Sequence, residues 1–112
     1  MAALGTILST QDVDKNASSS PTPGATVSID ASLGNLFKWT SGEAETVNIT
    51  AGQQAGRVIT LMITNDAIAR TITLGTGIVS TGVVIGTALK TEMILLQSDG
   101  TSFYELSRTL VL

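Results

Sequence analysis

Glu43 and Glu45 stand two residues apart, and in an extended segment that spacing puts both carboxylates on one side. Two carboxyl groups so arranged are the equipment of glycoside hydrolysis, one giving a proton and the other acting as base or nucleophile. Their setting, a polar stretch running into an alternating segment at Thr46, fits a solvated loop edge better, because unpaired carboxylates stay in water. Asp12, Asp14 and Asn16 alternate like the first oxygen ligands of a calcium loop. However, Ala17 stands where the sharp-turn glycine belongs and Pro23 where the closing glutamate belongs, so a polar arm is the better reading. Gly75-Thr76-Gly77 lacks the correctly spaced third glycine, the Gly-Lys-Ser/Thr continuation and the following helix of a phosphate cradle. Asp66 and Arg70 flank one turn and can pair across it, which closes the turn and supplies neither nucleophile nor base.

The absences are sharper. The chain has no His and no Cys, which excludes Ser-His-Asp and Cys-His nucleophile systems and the commonest zinc sites. No catalytic residue, metal ligand or cofactor site is expected, and the chain is read as not an enzyme. Six basic against nine acidic residues leave a net charge of -3 without a Lys/Arg cluster, so nucleic acid is not an expected partner. No window holds the ~20 apolar residues of a membrane span, and Met1 to Ser9 lacks the charged n-region and long apolar run of a secretory signal. The expectation is a protein made in a cytoplasm and used without a membrane anchor.

The elements that would carry any site are strands. The 112 residues allow one domain. Thr, Val, Ile and Gly dominate, only 13% of residues are charged, and the mean hydropathy is +0.36. That balance predicts an all-β domain with apolar surface facing another subunit. Gly56 to Leu74 alternates most clearly, with Ile59, Leu61 and Ile63 on one face and Val58, Thr60, Met62 and Thr64 on the other. Ile72 and Leu74 resume the period, so the stretch reads as a β-hairpin reversing near Asn65 and Asp66. Val27 with Ile29, Phe37 with Trp39, and Val47 with Ile49 mark three earlier strands. Gly75 to Gly86 is a glycine-broken β region. Met93 to Leu96 predicts a strand buried on both faces, and Asp99-Gly100 the tight turn of a closing hairpin.

Phe37, Trp39, Phe103 and Tyr104 are the aromatic residues. Phe103 and Tyr104 must face opposite ways, and the expectation is Phe103 with Glu105 outward or at an interface, Tyr104 with Leu106 inward. The termini are also apolar. Residues 1–24 read as an arm and linker, with Leu4, Ile7 and Leu8 as its docking residues and Pro21 and Pro23 opposing regular pairing. Residues 25–112 read as the domain, ending in Leu110-Val111-Leu112, which suits an interface.

Four segments resemble a β-sandwich module of tailed-bacteriophage virion proteins: Gly34-Asn35-Leu36-Phe37, Val47-Asn-Ile-Thr-Ala-Gly-Gln53, Ile59 to Leu74 with its Asp66-Ala-x-x-Arg70 turn, and Leu95 to Glu105 with Asp99-Gly100. That family serves in head decoration proteins, head spikes and tail-fibre tips, commonly as trimers. The resemblance covers about residues 25 to 107. It implies an antiparallel, jelly-roll-like β-sandwich with an extended N-terminal arm. It also implies a homotrimeric capsid decoration protein on the outer surface of the phage head, anchored on the major capsid protein through Leu4, Ile7 and Leu8. Phe103, Leu110, Val111 and Leu112 would meet other subunits, and Asn65, Asp66, Arg70, Asp99 and Gly100 would shape turns. The alternative is a head spike or tail-fibre tip that binds a host glycan. Leu74-Gly75-Thr76-Gly77 replaces the aromatic usual after the hairpin, and Phe103 stands where Trp is common.

Overall fold

The computed structural model describes residues 17–109. They form an all-β protein of ten strands and one short 3-10 turn, Ala31–Leu33. In chain order the strands are β1 (Ser18–Ser19), β2 (Thr26–Asp30), β3 (Leu36–Ser41), β4 (Glu45–Ala51), β5 (Val58–Asn65), β6 (Thr71–Leu74), β7 (Ile78–Val79), β8 (Val84–Ile85), β9 (Thr91–Ser98) and β10 (Phe103–Thr109). The longer strands alternate buried and open positions, as a period-2 pattern over one core requires.

The strands build a six-stranded sheet in the order β1-β3-β5-β9-β10-β7 and a four-stranded sheet in the order β2-β4-β6-β8. From β1 to β9 the chain switches sheet at every step, which is a solenoid-like path. Up to β6, strands two apart in sequence therefore become neighbours, and β1–β3, β3–β5, β2–β4 and β4–β6 all pair in parallel, whereas β7 lies at the far edge, parallel to β10. The expectation of an antiparallel arrangement is corrected here. Antiparallel pairs occur only where β8 meets β6, where β9 meets β5, and in the β9–β10 hairpin. The expected Gly56–Leu74 hairpin is likewise not formed, since β5 lies in one sheet and β6 in the other. Their link, Asp66 to Arg70, is a crossover rather than a hairpin turn. Its amphipathic arms look alike in both cases, because alternation assigns a face and says nothing of the partner.

One core fills the space between the sheets. Val27, Ile29, Val47, Ile49, Ile72, Leu74 and Val84 come from the four-stranded sheet, and Phe37, Trp39, Ile59, Leu61, Ile63, Ile94, Leu96 and Phe103 from the other. Phe103 is fully buried, whereas Tyr104 and Leu106 are exposed, at 43% and 53%. This reverses the expected orientation. Phe103 pairs with Ser98, which closes the inner row Ile94, Leu96, Ser98 of β9, and directly opposed residues point to the same side. Met93 and Leu95 are only half-buried on the outer side, so β9 is not enclosed on both faces. The register of β10 slips between Glu105 and Ser107, leaving Leu106 as the extra residue of a β-bulge.

The β9–β10 hairpin does have its predicted turn. Asp99 Oδ1 accepts from the amides of Thr101 and Ser102, each at 2.9 Å, and Gly100 takes φ +102°, a conformation glycine adopts without steric cost. In the stretch read as linker, Ser18 and Ser19 extend the edge of β3. Leu4, Ile7, Leu8, Leu110, Val111 and Leu112 lie outside the described residues.

Candidate functional site

Buried polar side chains gather at one end of the molecule, where β3 and β5 stop and β4 and β9 start. Ser41, Glu45, Asn65 and Glu92 are all buried there. Their positions follow from strand parity. Ser41 continues the inner row Phe37, Trp39; Asn65 continues Ile59, Leu61, Ile63; Glu45 precedes Val47 and Ile49; and Glu92 precedes Ile94 and Leu96. Parity alone placed Asn65 and Glu92 inward, and reading Asn65 only as a turn residue passed over that signal.

Two hydrogen-bonded sets result. Trp39 Nε1 donates to Glu45 Oε1 at 2.8 Å, and the Gly24 amide donates to Glu45 Oε2 at 3.3 Å. Glu43, by contrast, is exposed in the turn before β4. The two carboxylates that could have flanked a glycosidic bond are thus separated into core and solvent, and Glu45 is committed to an indole and a backbone amide. In the second set, Asn65 Nδ2 donates to both oxygens of Glu92, at 2.8 and 2.7 Å, and to the Lys90 carbonyl at 3.2 Å. Asn65 Oδ1 accepts from the Arg70 amide at 3.2 Å. Burial pushes the Glu92 carboxyl above the ordinary glutamate range, against the Asn65 hydrogen bond, which pulls it down.

Asp66 and Arg70 form the pair expected of them, with Arg70 Nε 3.0 Å from Oδ1 and Nη2 2.8 Å from Oδ2. The Arg70 guanidinium and the Ile68 amide hold the Asp66 carboxyl below the usual carboxylate range. At a pair this open to water, the geometry organises the crossover and carries no chemistry. Among the described residues no group of three or more His, Cys, Asp and Glu side chains is placed to hold a metal ion, and no helix is long and apolar enough to cross a membrane.

The outer faces of the two sheets differ. On the four-stranded sheet the outward positions are mostly hydroxyl and amide side chains in register, Thr26 beside Thr46 beside Thr73 and Ser28 beside Asn48, with Ile85 exposed beside Thr71 at the β8 edge. On the six-stranded sheet they form the rows Thr40–Thr64–Thr91, Lys38–Met62–Met93–Thr109, Leu36–Thr60–Leu95–Ser107 and Val58–Gln97–Tyr104–Val79. Lys38 is the one charged side chain in those rows. Val58, Val79, Tyr104 and the bulged Leu106 are exposed there. A surface with a single charge in its rows and with Met, Leu, Val and Tyr among its threonines has the composition of an interface rather than of a fully solvated sheet. Phe103, named as an interface residue from the sequence, belongs instead to the core, and Tyr104 and Leu106 take the outward places.

No family model, no curated protein and no solved structure matches the chain.

Proposed function

We propose that this chain is a bacteriophage structural protein, a capsid decoration protein that stabilises the head shell as a homotrimer. The observation that carries the reading is the outer face of the six-stranded sheet, with Lys38 as the single charge in its rows and Met, Leu, Val and Tyr around it, joined to the resemblance to virion β-sandwich modules. Met62, Met93, Leu95, Tyr104 and Leu106 on that face would be buried between subunits. The apolar ends, Leu4 with Ile7 and Leu8 and Leu110 to Leu112, would extend the contacts to the major capsid protein and to neighbouring copies. The protein would be made in the host cytoplasm and reside on the outer surface of the head. Stabilisation would come from apolar area removed from water, about 25 cal/mol per Å² before the cost of ordering the arm.

Binding to empty capsids tests this directly. The full chain is expected to bind and raise the shell's melting temperature, and a chain lacking residues 1–20 is expected to bind much more weakly. Equal binding by the truncated chain would remove the anchoring role of the arm. Light scattering tests the trimer, and a monodisperse monomer at micromolar concentration would count against it.

One observation favours a second reading, a head spike or tail-fibre tip that recognises a host glycan. Tyr104 is exposed on the sheet face, and an aromatic ring on a β surface can stack on a sugar. Because Phe37, Trp39 and Phe103 are in the core, Tyr104 would be the single aromatic platform among the described residues. Glycan-array binding abolished by Tyr104→Ala would move the assignment to this class.

A further inference from the structure

Glu92 is fully buried, and its one hydrogen-bond partner of the side-chain kind is the Asn65 amide. Each cation nearby is engaged elsewhere. Arg70, on the β5–β6 crossover, pairs with Asp66, and Arg108, on β10, pairs with Glu105. Lys90 is exposed and offers the cluster only its backbone carbonyl. On the β3–β4 side, Glu45 is held by Trp39 and Gly24, and Glu43 points to water. An ionised Glu92 would therefore be a buried charge answered by the Asn65 amide and its own backbone N–H, with no cation, which is a poor exchange for its hydration.

The same cluster fastens two crossovers. Asn65 Oδ1 takes the Arg70 amide, and the Arg70 carbonyl accepts from the Gly86 amide at 2.9 Å. The Asp66 carbonyl accepts from Leu89 at 2.8 Å, and Asn65 and Lys90 are joined through Nδ2 and through the backbone. Gly86 lies so close over the carboxyl that a Cβ there would collide with Glu92 Oε1 and the Asn65 amide. Leu89 holds φ +62°, the one non-glycine residue with positive φ among those described, and is 72% exposed. A leucine keeps that conformation only while its surroundings impose it. Ile68 is exposed on the first of these crossovers, and Ile85, the last residue of β8, is exposed just before the second.

We propose that Glu92 is a proton-operated latch: while its carboxyl is neutral, the 66–70 and 86–90 crossovers stay closed over this end of the core, and when it ionises they open. The neutral group keeps one of its two Asn65 contacts, through the carbonyl oxygen, and needs no counter-ion. The ionised group gains hydration only if the 86–90 segment lifts away, which also releases Leu89 and alters how Ile68, Ile85 and Leu89 are presented to any neighbour. The device is independent of the identity of that neighbour.

Hydrogen exchange of the intact protein tests the latch, with rates corrected for intrinsic pH dependence. In the wild type, protection of the Arg70, Gly86, Leu89 and Lys90 amides is expected to fall about tenfold per pH unit as pH rises above the ordinary glutamate value of 4.5. It should then level off once Glu92 is ionised, while the Thr101 and Ser102 amides stay unchanged. Glu92→Gln is expected to make the crossover protection flat with pH. Flat protection in the wild type, or an unaltered slope in Glu92→Gln, would overturn the proposal. Should the variant fold poorly, the carboxyl carbon of wild-type Glu92 can be titrated by NMR. Titration in step with loss of protection supports the latch, and titration with the crossovers still protected overturns it.

Discussion

Glu105 and Arg108 lie three residues apart on one strand and yet share a face, because the bulge at Leu106 shifts the alternation of β10 by one. Both turn toward the inner side, opposite Leu96 and Ile94, and their side chains are largely covered. Arg108 holds Glu105 with two nitrogens and reaches on to the Val83 carbonyl at 2.9 Å and Thr81 Oγ1 at 3.1 Å. The pair thereby ties the loop between β7 and β8 across the open edge of β10. Arg108→Ala is expected to cost about 1.5–3 kcal/mol, the range for hydrogen bonds to a charged group, read as a lower denaturant midpoint. Deleting Leu106 should cost less than this, since Glu105 and Arg108 would then stand two apart in a regular strand, still opposite Leu96 and Ile94 on the inner face.

Acid should unfold the protein through four carboxylates. Arg108 holds the Glu105 carboxyl low, Arg70 that of Asp66, the Ser32 hydroxyl and amide that of Asp30, and the Ser102 and Thr101 amides that of Asp99. A carboxyl depressed in the fold stabilises above its unfolded value and loses that contribution as pH falls through its folded value. Stability should therefore decline below about pH 4 and keep declining with further acid. Glu92, raised by burial, has the opposite sign and favours the fold at low pH. Thermal melts should show Glu105→Gln flattening the acid limb, whereas Glu92→Gln removes a loss that sets in as pH rises above the ordinary glutamate value of 4.5.

Glycine positions separate sharply by the space around them. Gly86→Ala drives a methyl into the Glu92 and Asn65 side chains and is expected to destabilise by about 1–3 kcal/mol, as overpacking does. Gly42 has open space around its would-be Cβ and no positive φ. Gly42→Ala should be neutral or stabilise by about 0.4–1 kcal/mol by restricting the unfolded chain. Matched denaturation curves of the two variants decide the point.

The adjacent aromatics of β10 should behave as opposites. Phe103→Ala opens a cavity in the core and should cost about 3–5 kcal/mol. Tyr104→Ala, on the outer face, should leave monomer stability within about 0.5 kcal/mol. If the outer face is a subunit contact, Met93→Glu should lower the mass measured by light scattering while circular dichroism stays unchanged. Unchanged mass would place the contact elsewhere.

What the sequence made legible was phase. Alternation placed Val27, Ile29, Val47, Ile49, Ile59, Leu61 and Ile63 inward, and all are in the core. Pairing was not legible, because Ile72 and Leu74 alternate identically whether β6 folds back on β5 or crosses to the other sheet. The choice is made by contacts distant in sequence, such as Val47 beside Leu74. Phe103 and Tyr104 were misassigned because the nearest inward marker, Ser98, is itself polar and gives no apolar cue. The Asn65–Glu92 contact was within reach of the same parity rule. Asn beside a turn, however, is most simply read as a turn former, and that reading hid its second role. The arm and tail residues fall outside the described part, so the proposed anchoring rests on the sequence.

The switch of sheet at every strand from β1 to β9 gives the fold a reading frame of two. Within the parallel part, β1 to β6, removing two consecutive strands would leave each later strand in its own sheet with an equivalent neighbour. Removing one would send every later strand, the hairpin of β9 and β10 included, to the opposite side of the core. Length variation in this architecture is thus quantised in whole coils, and single-strand insertions or deletions should be found only beyond the last crossover.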